Sequence, residues 1–136
     1  MLDDRFQVLN ILAVELRRHG LEVSIDQDTI CVGRTQWDEY SQRILTMLSA
    51  APAIKAGPKS FFIFVTEEYD SAGSLAKYAV KLTDGGKRAL RSWDLDTKRG
   101  PHTHDYTSGE KEPGHTPWSG SLEDVAAEMM DIMRML

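Results

Sequence analysis

The run Ser60-Phe61-Phe62-Ile63-Phe64-Val65-Thr66 is aromatic or β-branched at six of its seven positions and contains neither proline nor glycine. So short and β-prone a stretch predicts a strand near the middle of a sheet, and its lack of polar alternation predicts cover on both faces. A second strand follows. Ala76, Tyr78, Val80 and Leu82 alternate with Lys77, Ala79 and Lys81, and Asp84-Gly85-Gly86 turns the chain into a return strand from Lys87 to Asp94.

Around this sheet the periodicity predicts helices. Leu2, Phe6, Leu9, Leu12, Ala13 and Leu16 form one apolar stripe that Gly20 ends, and Arg17, Arg18 and His19 suit the negative end of that helix dipole. Leu21 to Ile25 and Ile30 to Val32 read as a short hairpin with an acidic tip, Asp26 to Thr29, where turn chemistry accounts for the aspartates better than a cation loop. Thr35 and Asp38 resemble a capping box and open a middle helix through Trp37, Tyr40, Ile44, Met47 and Leu48, which Pro52 ends. Ala50 to Lys59 is then a connector. Leu95 to Gly120 reads as a loop, either irregular throughout or with one short strand near His102 to Tyr106. From Ser121 a last helix carries Leu122, Val125, Ala126, Met129, Ile132, Met133 and Leu136 on one stripe.

The expected architecture is therefore α+β: a mainly antiparallel sheet of about five strands, with an N-terminal, a middle and a C-terminal helix packed on it. At 136 residues, 41% apolar and 27% charged, residues 1–136 suit one domain with its own core. The single cysteine, Cys31, sits in an apolar stretch and excludes a disulfide framework within the chain. The N-terminus lacks a signal-peptide pattern and no run reaches eighteen apolar residues, so the expectation is a cytoplasmic protein away from the membrane.

A net charge of −5 argues against a general nucleic-acid coat, but seven basic and three acidic residues between Lys77 and Arg99 leave a local +4, with −9 on the remainder. Three of the four histidines, His102, His104 and His115, fall within fourteen residues of one another, just after Asp94 and Asp96. On a strand, the two-residue spacing of His102 and His104 places both rings on one face, with His115 returning beyond the turn from Gly109 to Gly114. Such rings serve two chemistries. As general acid and base they would act on a phosphodiester held by Lys81, Lys87, Arg88 and Arg91. With Asp94 as a carboxylate ligand, or Asp105 orienting a ring, His102 and His104 would hold a divalent metal, the one cofactor the pattern admits. The bland alternative is a solvated loop beside the wet face of an edge hairpin. Trp93 and Trp118 offer stacking platforms for a base, or else close the core.

Lys77 to Gly85, then Arg91-Ser92-Trp93-Asp94, Pro101-His102-Thr103-His104 and Ser121-Leu122-Glu123-Asp124-Val125 resemble the TumE-like small toxins of prokaryotic toxin–antitoxin pairs. The shared order is strand, Asp-Gly turn, strand, Pro-His block and final helix. The resemblance covers the C-terminal part of the chain and implies an RNA-directed role and a cognate protein partner. The leading expectation is thus a toxin- or defence-type protein with a histidine-based nucleic-acid or nucleotide phosphate site. Its rival is a non-enzymatic interaction or oligomeric module working through the methionine-rich last helix.

Overall fold

In the computed structural model, residues 6–25, 30–56, 61–86, 88–96, 100–107 and 114–135 are described. Helix α1 (Gln7–Arg18) leads into eight strands, β1 (Val23–Ile25), β2 (Ile30–Asp38), β3 (Arg43–Ala56), β4 (Phe61–Tyr69), β5 (Leu75–Thr83), β6 (Ala89–Asp96), β7 (Gly100–Asp105) and β8 (Thr116–Pro117), and helix α2 (Leu122–Met135) closes the chain. From β3 to β8 the strands pair in sequence order, every pairing antiparallel.

Two expectations are corrected. Among the described residues there are two helices rather than three, and eight strands rather than about five. The residues expected as a middle helix form the β2–β3 hairpin, in which Thr35 faces Thr46 and Trp37 faces Ile44. Asp38 caps a turn instead of a helix. Its Oδ2 accepts from the Ser41 N–H at 2.9 Å and the Ser41 hydroxyl at 2.5 Å, and Gln42 takes the left-handed conformation (φ 54°) that lets the chain reverse. Nor do Leu21 to Ile25 and Ile30 to Val32 pair with each other. β1 pairs with residues 54–56 of β3 and β2 with residues 43–50, so the two lie end to end along one edge of the same long strand. Pro52, expected to stop a helix, falls where the β3–β4 register slips between Ala50 and Ile54, a place where its missing N–H costs no ladder bond. The acidic tip, Lys87, residues 57–60 and the Cys31 side chain lie outside the described residues.

Along β4, Phe61, Ile63, Val65, Glu67 and Tyr69 are buried while the alternate residues are half-buried. The buried side meets both helices. One core joins Leu9, Leu12 and Leu16 of α1 and Val125 and Met129 of α2 to Ile63, Val80, Leu82 and Trp93. Burying each such side chain contributes about 1.5–3 kcal/mol. The expected cover on the second face of β4 is thus absent from its described surroundings: Phe62, Phe64, Thr66 and Glu68 face away from the helices, and there the histidines are found. Among the described residues no helix is long and apolar enough to cross a membrane.

An unusual cap orients α1. Phe6 occupies its N-cap position and offers no side-chain oxygen, so the first N–H groups need acceptors from elsewhere. Glu67, fully buried on β4, supplies them: Oε1 accepts from Gln7 (2.8 Å) and Val8 (2.9 Å), and Oε2 from Leu9 (2.9 Å). The Tyr69 hydroxyl also donates to Glu67, and burial followed by this bond raises the Tyr69 pKa above its ordinary value.

Candidate functional site

The antiparallel ladder sets the site out in cross-strand rows on the face away from the helices. One row runs Thr66, Ala79, Asp94, His102, and the next runs Phe64, Lys81, Ser92, His104. Asp94 and His102 are thus direct partners across β6 and β7, with His104 on the adjacent diagonal, a geometry that brings side chains within reach. His115, just before β8, completes the group. The short strand that was one of two readings for Leu95 to Gly120 is β7, and the β7–β8 pairing of Thr103 with Thr116 returns His115 to its partners.

The three rings form a compact set. Their centroids are separated by 5.1 Å (His102–His104), 4.8 Å (His102–His115) and 4.3 Å (His104–His115), and one ring nitrogen from each lies within 4.8 Å of the others. His102 is buried, His104 half-buried and His115 exposed. Asp94 Oδ2 lies 3.4 Å from His104 Nε2 and 3.6 Å from His102 Nε2, and Asp96 Oδ2 lies 3.8 Å from the latter. Burial raises the Asp94 pKa, and the two histidines only partly offset it.

One contact fixes a ring. His102 Nδ1 is 2.9 Å from the Gly100 carbonyl, which can only accept, so Nδ1 carries the proton. In the neutral ring Nε2 then presents a lone pair towards a carboxylate. Two acceptors facing each other at such a distance repel, and a proton or a metal ion between them removes the repulsion.

Two clefts flank Asp94. The smaller, about 180 Å³, is lined by Glu68, Lys77, Asp96 and His102 among others; the larger, about 410 Å³, by Phe64, Lys81, Ser92, His104 and Tyr106. Ala79 lines both, its methyl leaving room that a larger residue would fill. In the larger cleft the Lys81 ammonium sits 5.4 Å from the centroid of the Phe64 ring.

The structure does not gather the four expected phosphate ligands. Of the three that are described, Lys81 alone joins the histidines. Arg91 lies on the helix-facing side, 3.5 Å from Glu128 and 3.3 Å from the Thr103 hydroxyl. Arg88 is exposed where its backbone N–H donates to Asp84 at the turn, and Lys87 lies outside the described residues. Asp105 accepts from the Thr107 hydroxyl and N–H, which lower its pKa. Trp93 is fully buried, donates to Glu128 and cannot stack on a base; Trp118 packs against the core. Met129 and Met130 are buried beneath α2, leaving Met135 exposed at its end.

Sequence reading missed Phe64 and Thr66, which it assigned to a covered strand face, and Asp96 as a second carboxylate near the rings. The alternation signal that would have exposed them is absent because Phe62 and Phe64 are themselves apolar. No family model, curated protein or solved structure matches the chain.

Proposed function

We propose that the protein is a small prokaryotic toxin- or defence-type protein whose His102–His104–His115–Asp94 centre cleaves a phosphodiester of RNA or a nucleotide. The observation that carries this reading is the convergence of three imidazoles and a desolvated carboxylate beside the larger cleft. Cleavage of a P–O bond needs a group to take a proton from the attacking oxygen, one to return a proton to the leaving oxygen, and positive charge at the phosphoryl oxygens. The imidazoles can exchange the protons, and the Lys81 ammonium lining the larger cleft supplies positive charge. Phe64 and Tyr106 give the cleft ring surface for a base, and Lys81 gives it a cation for the backbone. The resemblance of the C-terminal segments to toxin–antitoxin proteins points the same way.

Labelled single-stranded RNA incubated with untagged protein tests the reading. The wild type is expected to cut it, His104→Ala to lose at least about 100-fold of the rate with its melting temperature nearly unchanged, and Lys81→Ala to weaken substrate binding. No cleavage by the folded wild type, or full cleavage by His104→Ala, overturns the proposal.

A further inference from the structure

The repulsion at the centre of the cluster has two possible remedies, and the geometry favours one. A proton shared between His102 or His104 and Asp94 would draw nitrogen and oxygen to ordinary charge-assisted hydrogen-bond distance, about 2.7–2.9 Å. The observed separations of 3.4 and 3.6 Å are too long for that. They lie close to the edge of a tetrahedron of ligands around an ion with bonds of about 2.0–2.1 Å, for which neighbouring ligand atoms lie about 3.3–3.4 Å apart. The rigid members already sit at metal-site spacing.

We infer that His102 Nε2, His104, His115 and Asp94 Oδ2 form a site for a divalent transition-metal ion of the zinc class. The inference deepens the reading of this cluster as the catalytic centre and stands on the donor geometry rather than on any activity. Three features support it beyond the spacing. The Gly100 carbonyl holds the Nδ1 proton of His102, the orienting contact that metal-bound histidines characteristically make with their second nitrogen. Three of the donors, Asp94, His102 and His104, are fixed on the paired strands β6 and β7 and largely packed away from bulk water, and the exposed His115 ring completes a set whose three ring nitrogens already lie within 4.8 Å of one another. The donor set, three imidazoles to one carboxylate, selects zinc, cobalt, nickel or iron over magnesium and calcium, which prefer all-oxygen shells.

Held by four protein donors, such an ion would have no water ligand of its own, and it would act on a substrate only by taking a phosphoryl oxygen as a fifth ligand and polarising it. This chain's residues would hold the ion, fix the ring orientations and, through Ala79 and the two clefts, leave one side of it open to a substrate.

The test uses untagged, chelator-stripped full-length protein titrated with Zn²⁺ by calorimetry and with Co²⁺ by visible absorption. One equivalent is expected to bind, the Co²⁺ form to show intense tetrahedral bands, and saturating Zn²⁺ to raise the melting temperature. His104→Ala and His115→Ala, which remove half-buried and exposed rings and should fold normally, are each expected to weaken binding at least tenfold, with His19→Ala as an unaffected control. Absence of stoichiometric binding, or binding equally weakened by His19→Ala, overturns the inference. Stoichiometric Zn²⁺ binding without RNA cleavage sustains it and removes the phosphodiester reading. Undiminished cleavage by protein that binds no metal does the reverse.

Discussion

At the scale of single residues, Asp94 and Asp38 are carboxylates with opposite environments. Burial works against the charged form of Asp94, whose Oδ2 lies 3.4 Å from His104 Nε2. An asparagine there keeps the shape, drops the charge and offers an N–H to the His102 lone pair. Metal-free Asp94→Asn is therefore expected to melt no lower than metal-free wild type while losing metal affinity; a fall of several degrees would show that the carboxylate is there for stability. Asp38 is the opposite kind of residue. The Ser41 hydroxyl holds its carboxyl well below the ordinary range against the opposing effect of burial, with further help from the Ser41 N–H and from Lys77 at 3.2 Å. For Lys77 burial works to lower the pKa, but the bonds to Asp38 and Glu68 outweigh it and the net shift is upward. A carboxyl whose folded pKa lies below its unfolded value, about 3.9 for aspartate, contributes stability in full above that value and loses it as the pH falls towards the folded one. The urea midpoint of the wild type is thus expected to fall below about pH 4 more steeply than that of Asp38→Asn. Parallel curves for the two proteins would remove Asp38 from the account.

Elements differ in how much of their cause is local. The β5–β6 hairpin was legible because alternation and an Asp-Gly-Gly turn lie within the segment itself, and both terminal helices declare themselves through stripes of leucine, valine and methionine. The β2–β3 hairpin was not. Trp37, Tyr40, Ile44 and Leu48 fall at helical spacing, but Trp37, Tyr40 and Ile44 are exposed, so the apparent stripe reflects no buried face. Pairing to β4 decided the conformation of the segment, and that information lies outside it. The cap of α1 was equally hidden, since the carboxylate that satisfies Gln7, Val8 and Leu9 lies about 60 residues on, in a strand that reads as apolar. Glu67→Gln keeps the volume but turns donors towards the helix N–H groups, and it is expected to cost about 2–3 kcal/mol in urea unfolding. A change below about 0.5 kcal/mol would mean that α1 is held by packing alone.

For the molecule as a whole, the arrangement separates structure from chemistry by face. Both helices cover one side of the sheet and take up Trp93, Arg91 and Glu67, and the other side keeps Phe64, Lys81, Asp94 and the histidines open in two clefts. Reading residues one by one could place His102 and His104 on a common face, because strand alternation requires it. It could not sort the basic residues between faces, since that depends on the register of β5 against β6, and so Arg91 and Lys81 looked equivalent. The convergence of His115 depends on the short β7–β8 pairing, which the intervening turn residues do not announce.

The central claim, that one centre unites the three histidines, is tested most directly by the imidazole ¹⁵N signals of the protein as Zn²⁺ is added. The account predicts that the metal-free His102 ring carries its proton on Nδ1. It also predicts that the His102, His104 and His115 rings change together and stop changing at one equivalent, with His19 unmoved. Rings that respond one at a time, or a His19 that responds in step with them, would contradict it.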